Sequence, residues 1–454
     1  MKKIITVIYT LSFVIGAVSA QSVYDGVKIA DKDLNGTARF VGMGGAMGAL
    51  GGDITTMGTN PAGIGIYRSN DVMTSFSYSA YGMESKYEGQ KSTIDKNRWS
   101  FDNIGVVFAT KIGNQTPLRY VNFGFNYKRS KSFYKNMSMS GMMGVVENPS
   151  NPGSPYYVSQ TNSMALQATD AERYVWDNSR QHLDFDNANR IFSDPDAGWL
   201  GALGYQGGLT ERDRIDNEPD LYVPFLPVEP SSVFNSREKG GIDQYDFNVS
   251  FNINDRVYLG LTIGAYDVDY DKYSGYDESY KRGEGYSLES YNNISGSGFD
   301  VKMGLILRPF EYSPFRIGFA VHTPTFYKLT YSTSAIVTND YRDAKTDELK
   351  RIIVDTYDYV GDMKRDYRLV TPWKYNVSLG YTVGTSLALG AEYEYEDYST
   401  MKFKYSSNDG GGDMEFENAE VKNCLKGEHT FRIGAEYKAV SYTHLRAHET
   451  LRHL

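Results

Sequence analysis

The pattern of this chain predicts an all-β fold, an antiparallel β-barrel that crosses a membrane with its strands. Three observations carry that expectation. From residue 70 onward apolar side chains recur at every second position, the period of a strand with one apolar and one wet face. After residue 20 no apolar run is long enough for a helical span, so any crossing would be made by strands, whose hydropathy signal is far weaker. Tyrosine is abundant, with 38 copies in 454 residues, as two interfacial aromatic girdles would require.

Residues 1–20 read as a secretory signal. Lys2 and Lys3 precede an apolar run over 4–18, and Val18 and Ala20 give the small-residue cleavage pattern before Gln21. That run is shorter than the ~20 residues a membrane-spanning helix needs. No cysteine lies near the cleavage point, which argues against a lipid anchor. Cys424 is the only cysteine, so no internal disulfide can form. A net charge of −9 argues against nucleic acid as a partner.

The strands follow in order. Val72, Thr74, Phe76, Tyr78 and Ala80 share one face, and Ser75, Ser77 and Ser79 the other. A second, less regular strand is expected over residues 99–110. The third sets Val121, Phe123, Phe125 and Tyr127 against Asn122, Gly124, Asn126 and Lys128. Residues 131–239 lack strand period and are rich in Gly, Pro, Asp and Asn. They are expected to form a long extracellular loop over the barrel mouth, with short helices near 163–176 and 197–205. Strands resume with Val249, Phe251 and Ile253 opposite Ser250 and Asn252, and Asn254-Asp255 turns the chain. Val257, Leu259, Leu261 and Ile263 are expected to face lipid, and Tyr258, Thr262 and Asn252 the interior. A slip of one residue would reverse every assignment. On this reading a charge at Leu261 costs far more than one at Thr262.

The next pair repeats the plan. Phe299, Val301, Met303, Leu305 and Leu307 oppose Asp300, Lys302 and Arg308; Phe315, Ile317, Phe319 and Val321 oppose Arg316, Gly318 and His322. Residues 335–364 read as a polar loop. Residues 371–381 run down to a turn at Gly384-Thr385. Leu387, Leu389, Ala391, Tyr393 and Tyr395 then rise, with Glu392, Glu394 and Glu396 opposite. A glycine-rich loop over 409–413 precedes a last strand over 429–438, the tenth in the chain.

One stretch fits neither period. Residues 36–69 are too glycine-rich for a stable helix and too irregular for a strand. Glycine permits close approach of backbone to a neighbouring wall, and Asn60-Pro61 sets a rigid turn. Gly42-x-Gly44-x-x-x-Gly48 lacks the spacing of a dinucleotide fingerprint, and the polar residues 35–39 precede it where a buried strand would be required.

Arg39, the run Met43-Gly44-Gly45-Ala46, Asp53 and above all Asn60-Pro61-Ala62-Gly63-Ile64 resemble the N-terminal hatch of the FadL/TodX family. Those are outer-membrane transporters for long-chain fatty acids and other hydrophobic compounds. Residues 315–325, 371–381 and 429–438 resemble strand segments of the same family, so the resemblance spans residues 36–438 with gaps in the loops. It implies a hatch over residues 21–69 folded inside a barrel that begins at residue 70. It implies gating roles for Asn60, Pro61, Ala62, Gly63, Gly44, Gly45 and Asp53. It further implies passive uptake of hydrophobic small molecules by a monomer bathed in the outer-membrane lipid of a Gram-negative bacterium. Neither a cofactor nor a metal is implied, and lateral release into the bilayer is.

The family barrel has fourteen strands. With ten present up to Lys438, the first strand near 72–81 and the last near 430–438 are expected not to pair fully. The tail, residues 439–454, carries three of the six histidines and no strand period. It resembles translated adapter sequence, and four further strands are expected in its place.

Catalytic patterns are missing from the sequence. No Gly-x-Ser-x-Gly or HExxH motif occurs. Asp184-x-Asp186 does not continue as a calcium loop, since Ala188, Asn189 and Pro195 fill the fifth, sixth and twelfth positions. Glu392, Glu394 and Glu396 read as a wet interior wall in preference to an acid–base pair, and His322 as an interior polar residue in preference to a haem ligand. Two other readings stay open at this point. A general porin or adhesin-like barrel would need no plug, and an exported soluble all-β enzyme would need no lipid-facing band.

Overall fold

The computed structural model describes residues 23–146, 156–157, 159–194, 197–214, 217–225 and 230–438. The expected signal over 1–20 and the tail over 439–454 lie outside the described residues.

Ten long strands make one antiparallel sheet: β1 (Asp71–Tyr87), β2 (Gln90–Lys111), β3 (Leu118–Ser132), β4 (Ser231–Ile253), β5 (Val257–Ser279), β6 (Gly285–Leu307), β7 (Arg316–His322), β8 (Lys374–Val383), β9 (Leu387–Asp397) and β10 (Gly427–Tyr437). Their spatial order is their chain order, an up-and-down meander. β1 and β10 end that order and do not pair with each other, as ten strands led one to expect. The β4–β5 turn places Asn254 and Asp255 both at positive φ, 54° and 58°, the geometry that matches the twist of a two-stranded ribbon.

Two strands are interrupted at one level. Phe326–Arg342 continues β7 along the upper half of β6, and Met363–Val370 continues β8. The breaks fall at Thr323-Pro324-Thr325 and Thr371-Pro372-Trp373, where proline cannot donate to the ladder. The threonines mend the gap: Thr325 N–H donates to Thr371 Oγ1 at 2.8 Å, and Thr371 N–H donates to the Thr325 carbonyl at 3.1 Å.

The alternation expected for β5 is observed. Leu259, Leu261 and Ile263 are 40%, 37% and 53% exposed, whereas Tyr258, Thr262 and Tyr266 are 4%, 0% and 2% exposed. Asn252 is fully buried. The same inversion runs round the sheet. Phe108, Phe123, Phe247, Phe299, Met303 and Phe319 are exposed, while Asn122, Asn126, Asp246, Asn248, Lys302 and Glu392 are buried. A sheet with its polar side chains inside and its apolar ones outside is arranged for lipid, not water. Among the described residues no helix is long and apolar enough to cross a membrane.

Residues 23–69 lie against the polar face of this sheet. They form helices α1 (Val23–Ala30) and α2 (Ala38–Gly42) and two 3-10 turns, Ile54–Gly58 and Pro61–Ile66. Helices α3 (Gln160–Ser179), α4 (Ala188–Ile191) and α5 (Trp199–Gln206) pack as a cap on Tyr286, Ala335, Val337 and Val354 at the far end of the strands.

The structure differs from the sequence reading in three places. The irregular excursion is shorter than 131–239: Lys135–Met142 pairs with Ser231–Glu238 of β4. Residues 335–364 are not a loop. They contain the upper part of Phe326–Arg342, its partner Leu349–Asp355 and helix α6 (Thr356–Val360). β2 begins at Gln90, nine residues before the expected start. In the first and third places polar residues stand on both faces and the apolar period is lost; in the second, Ala335, Val337 and Val354 are buried under the cap, but Ile336 and Ile353 on the opposite face break the alternation. Helix α7 (Glu415–Cys424) was likewise not expected.

Thr262 requires a further correction. It is buried and its Oγ1 accepts from Asn248 Nδ2 at 2.8 Å, so it offers no wet space for a charge. The informative contrast is between two outward residues of β5. Leu261→Lys is expected to destabilise the protein in lipid vesicles by about 2–4 kcal/mol, and Asp269→Lys by less than about 0.5 kcal/mol. Denaturant titration in vesicles measures both, and equal costs would rule out lipid contact at Leu261.

Candidate functional site

The enclosed N-terminal segment is a series of capped turns. Thr37 caps α2, its Oγ1 accepting from Phe40 N–H at 3.1 Å and donating to Asp53 Oδ2 at 2.6 Å. Asp53, fully buried, caps the next turn by accepting from Thr55 N–H at 2.9 Å. Asn60 caps the last, its Oδ1 accepting from Ala62 N–H at 3.2 Å, with Pro61 at the first helical position, where its missing N–H costs nothing. The other end of the Asn60 amide donates to the Gly48 carbonyl at 2.8 Å, tying two turns together. Gly44 and Gly45 take positive φ, 61° and 79°, to reverse the chain after α2. Gly63 must be glycine for space: a Cβ there would sit 2.5 Å from Thr56 Oγ1. All seven residues singled out in the sequence thus sit within the enclosed segment.

What they touch was not legible. The sheet meets the segment through its own glycines. A Cβ on Gly260 would collide with the Pro61 carbonyl carbon, and one on Gly304 with Asn60 Oδ1. On Gly390 it would collide with Ala46 O, and on Gly434 with Met43 O. On Gly318 and Gly380 it would stand 3.1 Å from Ala49 Cα and Leu50 N. These glycines are cross-strand neighbours, Gly260 opposite Gly304 and Gly380 opposite Gly390 opposite Gly434. They form a belt against which bare backbone rests.

Beside the belt, side chains of the sheet bind the segment's free peptide groups. Asn122 Nδ2 donates to the carbonyls of Ile64 and Tyr67 at 2.7 and 2.9 Å. Ser250 donates to Pro61 O at 2.8 Å, and Arg316 to Leu50 O at 2.6 Å. His322 Nε2 lies 2.6 Å from Thr59 O, and because a carbonyl only accepts, that nitrogen carries the proton. Glu392 accepts from Gly48 N–H at 3.1 Å. The three glutamates of β9 are therefore structural: Glu392 and Glu394 pair with Arg432 at 3.1 and 3.0 Å, and Glu396 with Lys374 at 2.9 Å.

A second charged chain joins sheet and segment higher up. Lys302 bridges Asp246 at 3.1 Å and Asp300 at 2.7 Å. Tyr266 donates to Asp300 at 2.7 Å and accepts from Lys32 at 3.1 Å. Desolvation pushes the Lys32 ammonium down to about 8, against the pull of Asp300.

Above these charges the interior turns apolar. Val23, Ile29 and Ala30 of α1 pack into a chamber lined by Ile242, Val268, Ile294, Leu329, Leu369 and Phe403. The fit is close, for a Cβ on Gly26 would lie 2.5 Å from Phe403 Cζ. On its other side α1 is tethered by Lys28, which bridges Glu238 at 2.7 Å. An open cavity of about 520 Å³ lies elsewhere, on the outward side of β4–β6 among Arg237, Lys239, Asp271 and Tyr273. Its charged lining does not suit an apolar solute.

If the belt admits only hydrogen at Cα, small additions there should undock the segment. Gly260→Ala and Gly304→Ala are expected to speed proteolysis within residues 23–69 severalfold. Gly412→Ala, whose Cβ would meet nothing within 4 Å, should not. Equal rates in all three would show that the segment is not held by the belt.

Neither a family model nor a curated protein matches the chain. Among solved structures it aligns with the toluene transporter TbuX of Ralstonia pickettii at 12% identity and a TM-score of 0.37, over 90% of this chain and 84% of that one. The toluene transporter TodX of Pseudomonas putida aligns at 10% identity and 0.36, over 90% and 81%. A FadL homologue of Pseudomonas aeruginosa aligns at 10% identity and 0.26, over 90% and 99%. The architecture stands on the strand register and the burial pattern, and an antiparallel wall wrapped round an irregular N-terminal segment is the arrangement that the FadL/TodX resemblance implied.

Proposed function

We propose that this protein is an outer-membrane transport protein that admits hydrophobic small molecules, long-chain fatty acids among them, by passive diffusion past a hatch formed by residues 21–69. The observation that carries the reading is the apolar chamber filled by α1. A space lined by Ile242, Val268, Ile294, Leu329, Leu369 and Phe403, set above inward residues such as Asp246, Asp300 and Lys302, is a partition site for an apolar solute. The occupant is the chain's own helix, tethered at one side through Lys28. Exchange of α1 for a solute would conserve buried apolar area and so need little driving force.

The mechanism has three parts. Apolar residues of the cap capture the solute. The chamber against the hatch holds it. Rearrangement of the hatch, or a gap in the wall, releases it, laterally into the bilayer on the family's pattern. Asn60, Pro61, Ala62, Gly63, Gly44, Gly45 and Asp53 would set the stiffness of the hatch, through caps and reversals that fix its turns. The process uses diffusion alone, so we assign the protein no reaction and no cofactor. It would work as a monomer in the outer membrane of a Gram-negative bacterium.

Two measurements in cells test this. Asn60→Ala with Pro61→Ala removes the amide that ties two turns, and is expected either to raise leak of small polar solutes or to abolish hydrophobic uptake. Unchanged leak and uptake would leave the segment a mere tether. Phe403→Glu places a charge in the chamber and is expected to lower uptake of a hydrophobic probe about tenfold or more, because an unpaired carboxylate there is costly. Uptake undiminished by that change would remove the chamber from the route.

A further inference from the structure

The cap carries a cluster that transport does not use. Glu172 lies on α3 and is fully buried. Arg180 ends that helix in the left-handed region, φ 57°, with its N–H donating to Trp176 O at 2.8 Å. The reversal returns the chain along the helix. Leu183 N–H then donates to Glu172 Oε2 at 2.9 Å, and His182 Nδ1 lies 2.6 Å from Glu172 Oε1. Asp220 enters from a separate segment, just before the strand Leu221–Pro224. One candidate ligand atom from each of Glu172, His182 and Asp220 lies within 4.8 Å of the other two.

Asp220 is the unexplained member. Its side chain is 7% exposed, yet it accepts no hydrogen bond from any described residue. The nearest cationic atoms, His182 Nδ1 and Arg212 Nε, both stand at 3.8 Å. Arg212 is engaged elsewhere, with its NH2 group 2.5 Å from Asp186. A nearly buried carboxylate without a hydrogen bond is costly, and the two cationic groups that face Asp220 stand at 3.8 Å, the long limit of an ion pair.

We propose that Glu172 Oε1, His182 Nδ1 and Asp220 Oδ2 bind one divalent transition-metal ion of the zinc type, with water completing the coordination. One imidazole nitrogen with two carboxylates suits such an ion, whereas calcium and magnesium favour six or more oxygen ligands or several retained waters. The supporting shell is in place, because Leu183 N–H fixes the second oxygen of Glu172. Entry is open on one side: His182 is 44% exposed and its ring lies 4.7 Å from that of Trp176. The ion takes the place of the proton between His182 and Glu172, and brings to Asp220 a positive charge closer than the 3.8 Å at which Arg212 stands. Bound, it fastens α3, the returning chain and the Leu221–Pro224 strand to one another, bracing the cap.

The test uses the full chain in detergent micelles. Titration with Zn2+ by calorimetry is expected to show one more equivalent bound by the parent chain than by Asp220→Asn, or an affinity at that site at least about tenfold weaker in the variant. His182→Ala should behave as Asp220→Asn does. The other five histidines are common to the parent and Asp220→Asn, so the difference isolates this site. Circular dichroism establishes that each variant is folded. A second measurement needs no variant: Zn2+ should slow proteolysis within residues 143–230 of the parent chain, and a chelator should restore it. Equal stoichiometry and affinity in parent and variants, or cleavage indifferent to Zn2+, would reduce the cluster to a hydrogen-bonded His182–Glu172 pair and overturn the proposal.

Discussion

Peptide groups cannot be left unpaired away from water, and that constraint organises this structure. A strand wall meets it by pairing each strand with the next. An irregular segment cannot meet it alone, because 3-10 turns and reversals leave carbonyls pointing outward. Residues 23–69 are such a segment. The inward side chains of the wall serve their carbonyls: Asn122 binds Ile64 and Tyr67, Ser250 binds Pro61, and Arg316 binds Leu50. The polarity of the interior is thereby explained. It is a complementary surface for backbone.

Close approach is the second requirement, and glycine meets it on both partners. Within the segment, Gly51 and Gly63 let two turns touch, with Gly52 N–H donating to Gly63 O at 3.0 Å. On the sheet, Gly260, Gly304, Gly390 and Gly434 clear a track for backbone that any Cβ would close. Glycine weakens an isolated strand. Here it is tolerated because the segment fills the space a side chain would have taken, so the sheet and its contents are specified together.

Electrostatics divides the interior into levels. The lower level is hydrogen-bonded and ion-paired, with Arg432 held between Glu392 and Glu394. The middle level is the run Asp246, Lys302, Asp300, Tyr266 and Lys32. Only above that do apolar residues gather around α1. Pairing and hydrogen bonding offset the desolvation cost of these buried charges, so the charged levels and the apolar level stay separate.

Period two in residues 249–265 determined which side chains face outward, because a strand allows only two faces and a slip of one residue exchanges them. The turn at Asn254-Asp255 was equally plain, since those residues tolerate positive φ. The rigid turn at Asn60-Pro61 was likewise readable, since it rests on contacts between near neighbours in the chain, whereas the cap formed by Asp53 was seen only in the structure. Where polar residues stand on both faces of a strand, as in 231–239, or apolar ones do, as in 335–355, the period vanished and the strands were missed. The partners of the N-terminal segment lay beyond sequence altogether. Nothing local distinguishes Gly304, which receives Asn60, from Gly412, which receives nothing. Nor does sequence bring Asp220 to Glu172 and His182, from which it is separated by 48 and 38 residues, 220 − 172 and 220 − 182. Local chemistry fixes a residue's conformation and face. Register and chain reversal decide what stands opposite it, and only tertiary structure supplies those.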